Sequence, residues 1–114
     1  MAFSDKPWGS ISESDYKDAD AFCAACLIDL NEGRDKTKDK CKLPVKEPGG
    51  AYNRNAIHAA AAALAGARGG VQAPTDEKRK AARRLLSLYR EMNEDAPESL
   101  YRIAGEKPPA KKAH

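Results

Sequence analysis

Five consecutive alanines, Ala59–Ala63, lie near the middle of the 114-residue chain. Alanine is the strongest helix former, so this run predicts a helix whose small side chains let a neighbouring helix approach closely. Alanine supplies 21 residues of the chain, whereas Leu, Ile, Val and Phe together supply 16. The hydrophobic core is therefore expected to be thin and to contain few large side chains.

The scarcity of β-branched apolar residues limits the fold classes that this chain can adopt. Val and Ile total six, which is too few for the buried strands of a large barrel or a doubly wound sheet. No segment approaches the ~18 apolar residues that a membrane-spanning helix requires. We therefore predict a mainly α fold: a compact three- to four-helix domain with at most a short β element near residues 42–46.

Helix start and stop signals divide the chain into three parts. Residues 1–11 form a predicted N-terminal arm, residues 12–104 a single helical domain and residues 105–114 a flexible basic tail. The first helix is expected to begin at Ser12 or Ser14 and to end before Gly33, with apolar residues spaced three and four apart. The other helices are expected over about 53–67, 75–93 and 97–104.

Neither the charge pattern nor the local motifs favour an enzyme. The formal net charge is +3, with both signs interspersed as in ordinary soluble proteins. The acidic residues fall in predicted caps, loops and solvated faces, and no Ser-His-Asp or Cys-His arrangement is evident. The segment GARGGV lacks the Lys-Ser/Thr of a phosphate-binding loop and is typical of a helix terminator. We predict a non-enzymatic protein without a cofactor.

The three cysteines, Cys23, Cys26 and Cys41, leave alternatives open. An odd number excludes a complete disulfide framework, and the N-terminus lacks the pattern of a signal peptide, so a reducing compartment is expected. Cys23 and Cys26 fall on the apolar face of the first predicted helix, where buried free thiols behave as small hydrophobic groups. The alternatives are a contact or disulfide joining Cys41 to Cys23 or Cys26, and a zinc site completed by His58.

Basic residues concentrate in the C-terminal half, where 12 Lys and Arg face 7 Asp and Glu within residues 50–114. One interpretation is a solvated face that is partly paired with nearby acids. The alternative is a nucleic-acid surface, formed with the C-terminal tail, that makes salt-sensitive phosphate contacts. The basic residues on this side of the third predicted helix are Arg79, Lys80, Arg83 and Arg84. Trp8, between Pro7 and Gly9, is expected to anchor the arm.

A longer pattern runs from Lys42 to Leu100: KLPV, then NRNAIHAAAAALAGARGGV, then RRLLSLYRE, then DAPESL. It resembles a small helical domain of tailed-phage and prophage head-morphogenesis proteins, which occurs alone or beside prohead-protease or capsid-related sequences. The segment GARGGV with its flanks is the most specific part. The residues that match the pattern are Leu43, Pro44, Gly66, Arg68, Gly69, Gly70, Val71 and Tyr89.

The resemblance implies a virion or head-assembly accessory protein that acts by binding other proteins. Its partners would be capsid or head proteins, in an oligomer or larger assembly, and its location the virion or the host cytoplasm. Nothing in the chain matches the catalytic segment of a prohead protease, so no catalytic residue is carried over. Nucleic acid is the alternative partner, and no membrane is expected. The residues expected to contact a partner are Trp8, Arg68, Arg79 and Arg83.

Overall fold

The computed structural model describes residues 3–33, 35–66 and 69–108. Helices predominate, as predicted, but a substantial part of the chain is not helical. None of the helices in the described ranges is long and apolar enough to cross a membrane. The regular elements are α1 (Ala19–Ala24), β1 (Cys26–Asp29), β2 (Cys41–Pro44), α2 (Arg54–Leu64), α3 (Thr75–Met92) and α4 (Glu98–Ala104). Arg68 and residues 109–114 of the predicted tail lie outside the described residues.

The three C-terminal helices are confirmed, and their ends follow local signals. The side chain of Asn53 caps α2 by accepting a hydrogen bond from the Ala56 amide at 2.9 Å. α3 begins directly after Pro74 and ends at Asn93, which has a left-handed φ of 64°. α4 begins after Pro97. Capping side chains and proline act within a few residues of the helix end, which is why the sequence identifies these boundaries.

The first predicted helix is wrong over most of its length. α1 contains only six residues, and the Asp18 carboxylate caps it by accepting from the Ala21 amide at 2.8 Å. Before α1, Glu13–Asp15 forms a 3₁₀ turn, and the buried Tyr16 that follows it donates from its hydroxyl to the Lys46 carbonyl. After α1, residues 26–29 form a strand, because their backbone groups pair with β2.

β1 and β2 form a two-stranded antiparallel hairpin. Cys26 lies opposite Pro44, and Asp29 lies opposite Cys41. The Leu30 amide bonds the Lys40 carbonyl at 2.9 Å, so the pairing continues beyond the strands toward the connecting loop. The predicted β element near residues 42–46 thus corresponds to β2. The other strand, β1, comes from the segment that was predicted to be helical.

The helices α2, α3 and α4 and the hairpin enclose the main hydrophobic core. Its large, fully buried side chains include Ile28, Ile57, Leu85, Leu88 and Leu100. Buried alanines on α2 and α3 share this core with them: Ala60, Ala61, Ala81 and Ala82. A second, smaller cluster lies around α1 and contains Tyr16, Phe22, Cys23, Ala25 and Cys41.

Candidate protein-binding groove

Trp8 stands between two recesses on the surface of the molecule. It is half-buried and begins one of the 3₁₀ turns of the described residues, Trp8–Ser10. Leu43, Pro44 and Gly70 line both recesses together with Trp8, and the recesses have volumes of about 450 and 510 Å³. Because they share these four lining residues, we treat them as one feature, the Trp8 groove.

The arm that carries Trp8 is fixed to the start of α2. The Ser4 amide donates to the Tyr52 carbonyl at 2.8 Å, and the Arg54 amide donates to the Ser4 carbonyl at 2.9 Å. The Lys6 carbonyl accepts from the side-chain amides of Asn53 and Asn55 at 2.9 and 3.0 Å. Asn53 is fully buried. These bonds hold the residues just before Trp8 in one place, as the anchored arm requires.

The first recess has an apolar floor. Buried Tyr16 and Phe22 stack edge to face, with ring centroids 5.1 Å apart, and both line this recess. Ile11 and Val71, each half-buried, complete the apolar lining. An apolar floor of this kind favours an uncharged side chain over a charged one, because a charge would lose its hydration there.

The rim of the first recess carries two charges of each sign. Glu13 and Asp39 are acidic, and Lys38 and Lys42 are basic. The Lys38 ammonium also donates to the Glu13 carbonyl oxygen at 2.7 Å, which joins the loop after β1 to the segment before α1. The four charges sum to zero, so the rim favours neither a polyanion nor a polycation.

The second recess lies on the alanine face of α2. Five alanines line it, and two of them, Ala59 and Ala62, are exposed. Methyl side chains leave the helix backbone close to the surface, so a partner segment can approach α2 closely beside the larger indole of Trp8. The alanines that line this recess are Ala56, Ala59, Ala60, Ala62 and Ala63.

Two backbone features shape the wall that both recesses share. Gly69 and Gly70 have left-handed φ values of 87° and 81°, which glycine adopts readily and which fit the predicted helix terminator. Leu43, within β2, has φ of 61°, a conformation that costs a non-glycine residue ~1–2 kcal/mol. Its side chain belongs to the main core and is only 8% exposed. Packing of the Leu43 side chain in the core therefore holds this backbone conformation. The conformation in turn sets the position of the next residue, Pro44, in the wall of the groove.

Of the residues that the sequence predicts to contact a partner, Trp8 lines the groove. Arg79 and Arg83 lie elsewhere. Arg83 donates from Nε to the Ala104 carbonyl at 3.1 Å and lies 3.7 Å from the Glu106 carboxylate, beside the end of α4. The exposed Arg79 side chain lies next to Gly105 at the same helix end. The structure therefore brings Arg79 and Arg83 together with α4 and does not bring them to Trp8.

The other two residues of the predicted basic face also have partners. Lys80 lies 3.5 Å from the Glu77 carboxylate, one helical turn earlier. Arg84 donates to the Tyr52 hydroxyl at 2.6 Å, and its guanidinium lies 5.6 Å from the centroid of that ring. Nucleic-acid binding by this face remains a prediction.

The cysteines and His58 do not come together. Cys23 and Cys41 form a disulfide, which confirms one of the alternatives left open for the cysteines. Cys26 is a half-buried free thiol in β1, and burial raises its pKa to about 12. His58 bonds the Glu94 carboxylate at 2.7 Å and is not part of the described group of potential metal ligands that contains Cys23 and Cys41. A zinc site that combines His58 with the cysteines is therefore wrong.

The groove as a whole could not be predicted from the sequence, although several of its residues were predicted to matter. Four residues of the sequence pattern between Lys42 and Leu100 line the groove, namely Leu43, Pro44, Gly70 and Val71. Their membership of one sequence pattern was the available signal for the groove. Only tertiary contacts bring these residues close to Trp8. Comparison with known protein families, with curated proteins and with solved structures finds no match for this chain.

Proposed function

We propose that this chain is a non-enzymatic protein-binding protein whose Trp8 groove receives an apolar side chain of a partner. The observation that carries the proposal is the convergence of Trp8, Leu43–Pro44 and the alanine face of α2 on one groove. A partly buried tryptophan offers a large and rigid contact area at little conformational cost, and tryptophan is enriched where binding energy concentrates.

The proposed occupant is an extended segment of another protein that has an aliphatic or aromatic anchor and no net charge. The apolar floor formed by Tyr16 and Phe22 suits the anchor. The exposed alanines Ala59 and Ala62 permit close backbone approach along the second recess. The balanced rim provides no electrostatic reason for a charged partner.

We extend the proposal to the setting that the residue pattern implies, in which the partner is a capsid or head protein of a tailed phage. Leu43, Pro44, Gly70 and Val71 support this extension, because they belong both to the pattern and to the groove. In this view the chain acts as an accessory protein within an oligomer or a larger assembly.

The test uses the single tryptophan of the chain as a reporter. The full chain is labelled with 5-fluorotryptophan, which gives one ¹⁹F resonance, and is titrated with purified major head protein of a tailed phage that encodes the same pattern. We expect the resonance to shift or broaden on binding. Ala62→Glu, which introduces a charge into the alanine recess, is expected to weaken binding at least about tenfold. Ala24→Glu is the matched control, because Ala24 is also exposed but lies outside the groove.

Equal binding by the wild type and Ala62→Glu would refute the proposal. The salt dependence of the affinity distinguishes this proposal from nucleic-acid binding, the second function that the sequence predicts. About four phosphate contacts would make DNA affinity fall roughly 100-fold between 50 and 200 mM salt. Binding in the charge-balanced groove is expected to change by less than about threefold over that range. Strongly salt-dependent DNA binding that is lost in Arg84→Ala, with no shift of the ¹⁹F signal on addition of head protein, would favour the nucleic-acid function.

A further inference from the structure

The loop end of the β1–β2 hairpin brings together three side chains that can bind a metal ion. The sulfur atoms of Cys23 and Cys41 and a carboxylate oxygen of Asp29 all lie within 4.8 Å of one another. Among the residues that the structure describes, this is the one group of three or more His, Cys, Asp or Glu side chains with that geometry. Cys23 and Cys41 are buried, and Asp29 is half-buried.

Asn31 organises this cluster from the loop side. Its side-chain amide lies 3.3 Å from the Cys41 sulfur, 3.6 Å from the Cys23 sulfur and 2.9 Å from an Asp29 carboxylate oxygen. The Asn31 side-chain oxygen accepts from the Thr37 amide at 2.9 Å, which fixes the orientation of the amide group. The two nearest acceptors of this amide are the Asp29 oxygen and the Thr37 carbonyl at 3.1 Å, so its two hydrogens hold Asp29 and the loop beside the sulfur atoms. Such outer partners orient metal ligands and tune their affinity.

We propose that, in the reduced protein, Cys23, Cys41 and Asp29 form a zinc site that the disulfide replaces in the oxidised protein. Two thiolates and a carboxylate are ligands that Zn²⁺ accepts, and water would supply the fourth position. Ligand atoms around tetrahedral zinc lie roughly 3.5–4 Å apart. The Cα atoms of Cys23 and Cys41 are 5.3 Å apart, so side-chain rotation can move the sulfurs to that separation without moving α1 or β2.

A dithiol reductant supplies the electrons and protons that convert the disulfide form into the reduced, zinc-binding form. The reductant transfers two electrons and two protons to the Cys23–Cys41 disulfide, which breaks the S–S bond and yields two thiols and an oxidised reductant. Zinc binding then displaces the two thiol protons to solvent. The reverse path releases zinc when a disulfide oxidant removes the two electrons, so metal and disulfide exclude each other at the same sulfur atoms.

Lys36 and Asn31 hold the Asp29 carboxylate through different oxygens, Oδ2 and Oδ1. The carboxylate is therefore held in position on the hairpin beside both sulfurs. Cys26, whose strand position is opposite Pro44, is not a member of the cluster.

The test is a zinc titration of the full chain, reduced or oxidised, in competition with a chromophoric chelator. We expect the reduced wild type to bind one zinc per chain and the oxidised wild type none. Asp29→Asn, which keeps both cysteines and the disulfide, is expected to lower the affinity of the reduced chain at least about tenfold. Cys26→Ser is the matched control and should bind zinc like the wild type.

Cobalt substitution supplies a second measurement that does not depend on affinity. Binding of Co²⁺ by the reduced chain should produce a sulfur-to-cobalt charge-transfer band, which Cys26→Ser retains and Cys23→Ser loses. The proposal is overturned if the reduced wild type binds no zinc. It is equally overturned if Asp29→Asn binds zinc as tightly as the wild type, or if Cys26→Ser removes the cobalt band.

Discussion

Reduction of the Cys23–Cys41 disulfide is expected to lower the free energy of unfolding by about 3 kcal/mol. The two cysteines are 18 residues apart, and a cross-link that closes a loop of this length restricts the unfolded chain by roughly that amount. Both cysteines are buried, so their side chains remain in the small cluster around α1 when the bond is broken. The loss should therefore come mainly from the greater freedom of the unfolded chain.

The measurement compares oxidised and reduced protein in urea, followed by far-ultraviolet circular dichroism. Cys26→Ser is the background for both samples, because it removes the one thiol that could exchange with the disulfide. A chelator is present throughout, so that any metal bound by the reduced cysteines does not restore stability. For a domain of this size, a loss of 3 kcal/mol corresponds to a fall in Tm of about 10 °C.

A difference below about 1 kcal/mol between the two samples would refute this reasoning. It would mean that the hydrogen bonds between β1 and β2 already confine the loop, or that the unfolded chain keeps these segments together without the covalent bond. Cys41→Ser cannot form the disulfide. An unfolding free energy of this variant that is equally low under oxidising and reducing conditions would confirm that the disulfide is the source of the difference between the two samples.

Three further predictions concern the helical part of the molecule. Leu88→Ala removes a fully buried side chain and should cost about 2–5 kcal/mol in urea unfolding; a loss under 1 kcal/mol would contradict the assigned core. Asn53→Ala removes the α2 cap and should cost about 1–2 kcal/mol by the same assay, clearly more than the control Asn55→Ala, whose residue is exposed. The hydrogen bond from His58 lowers the pKa of Glu94, so this contact stabilises the fold above the ordinary glutamate pKa and is lost as pH falls through the lowered value. Glu94→Gln should flatten that acid limb of the stability profile, and an unchanged limb would show that other carboxylates cause it.

The helices α2, α3 and α4 could be predicted because their signals are local. Asn53 caps the helix that follows it, and Pro74 and Pro97 directly precede helices. Such features act within one helical turn and do not depend on the rest of the chain. They remain visible in a single sequence even when the core contains little but alanine and leucine.

The first predicted helix failed because its decisive interactions are distant in sequence. Ile28 does not belong to the apolar face that was predicted for the first helix, yet it is fully buried. It faces the core from a strand that pairs with β2. The Tyr16 hydroxyl bonds a backbone carbonyl 30 residues away. Tertiary pairing of this kind overrides local spacing, and the sequence offers no short-range signal for it.

The candidate groove was predictable only in pieces for the same reason. Trp8 was expected to anchor the arm, and Leu43 and Gly70 belonged to the phage-like pattern, but their proximity depends on contacts that span more than 60 residues. The disulfide partner was likewise left open between Cys23 and Cys26. α1 ends before Cys26, so these two cysteines lie on different elements and only Cys23 reaches Cys41.

The disulfide also determines what happens when the hairpin loop is cut. Lys36 and Lys40 are exposed and lie between the two bonded cysteines, where trypsin can reach them. A chain cleaved at either lysine stays one covalent molecule, with the N-terminal segment tied to the helical part. Such nicked protein would migrate as a full-length species on a gel without reductant and as two fragments with it.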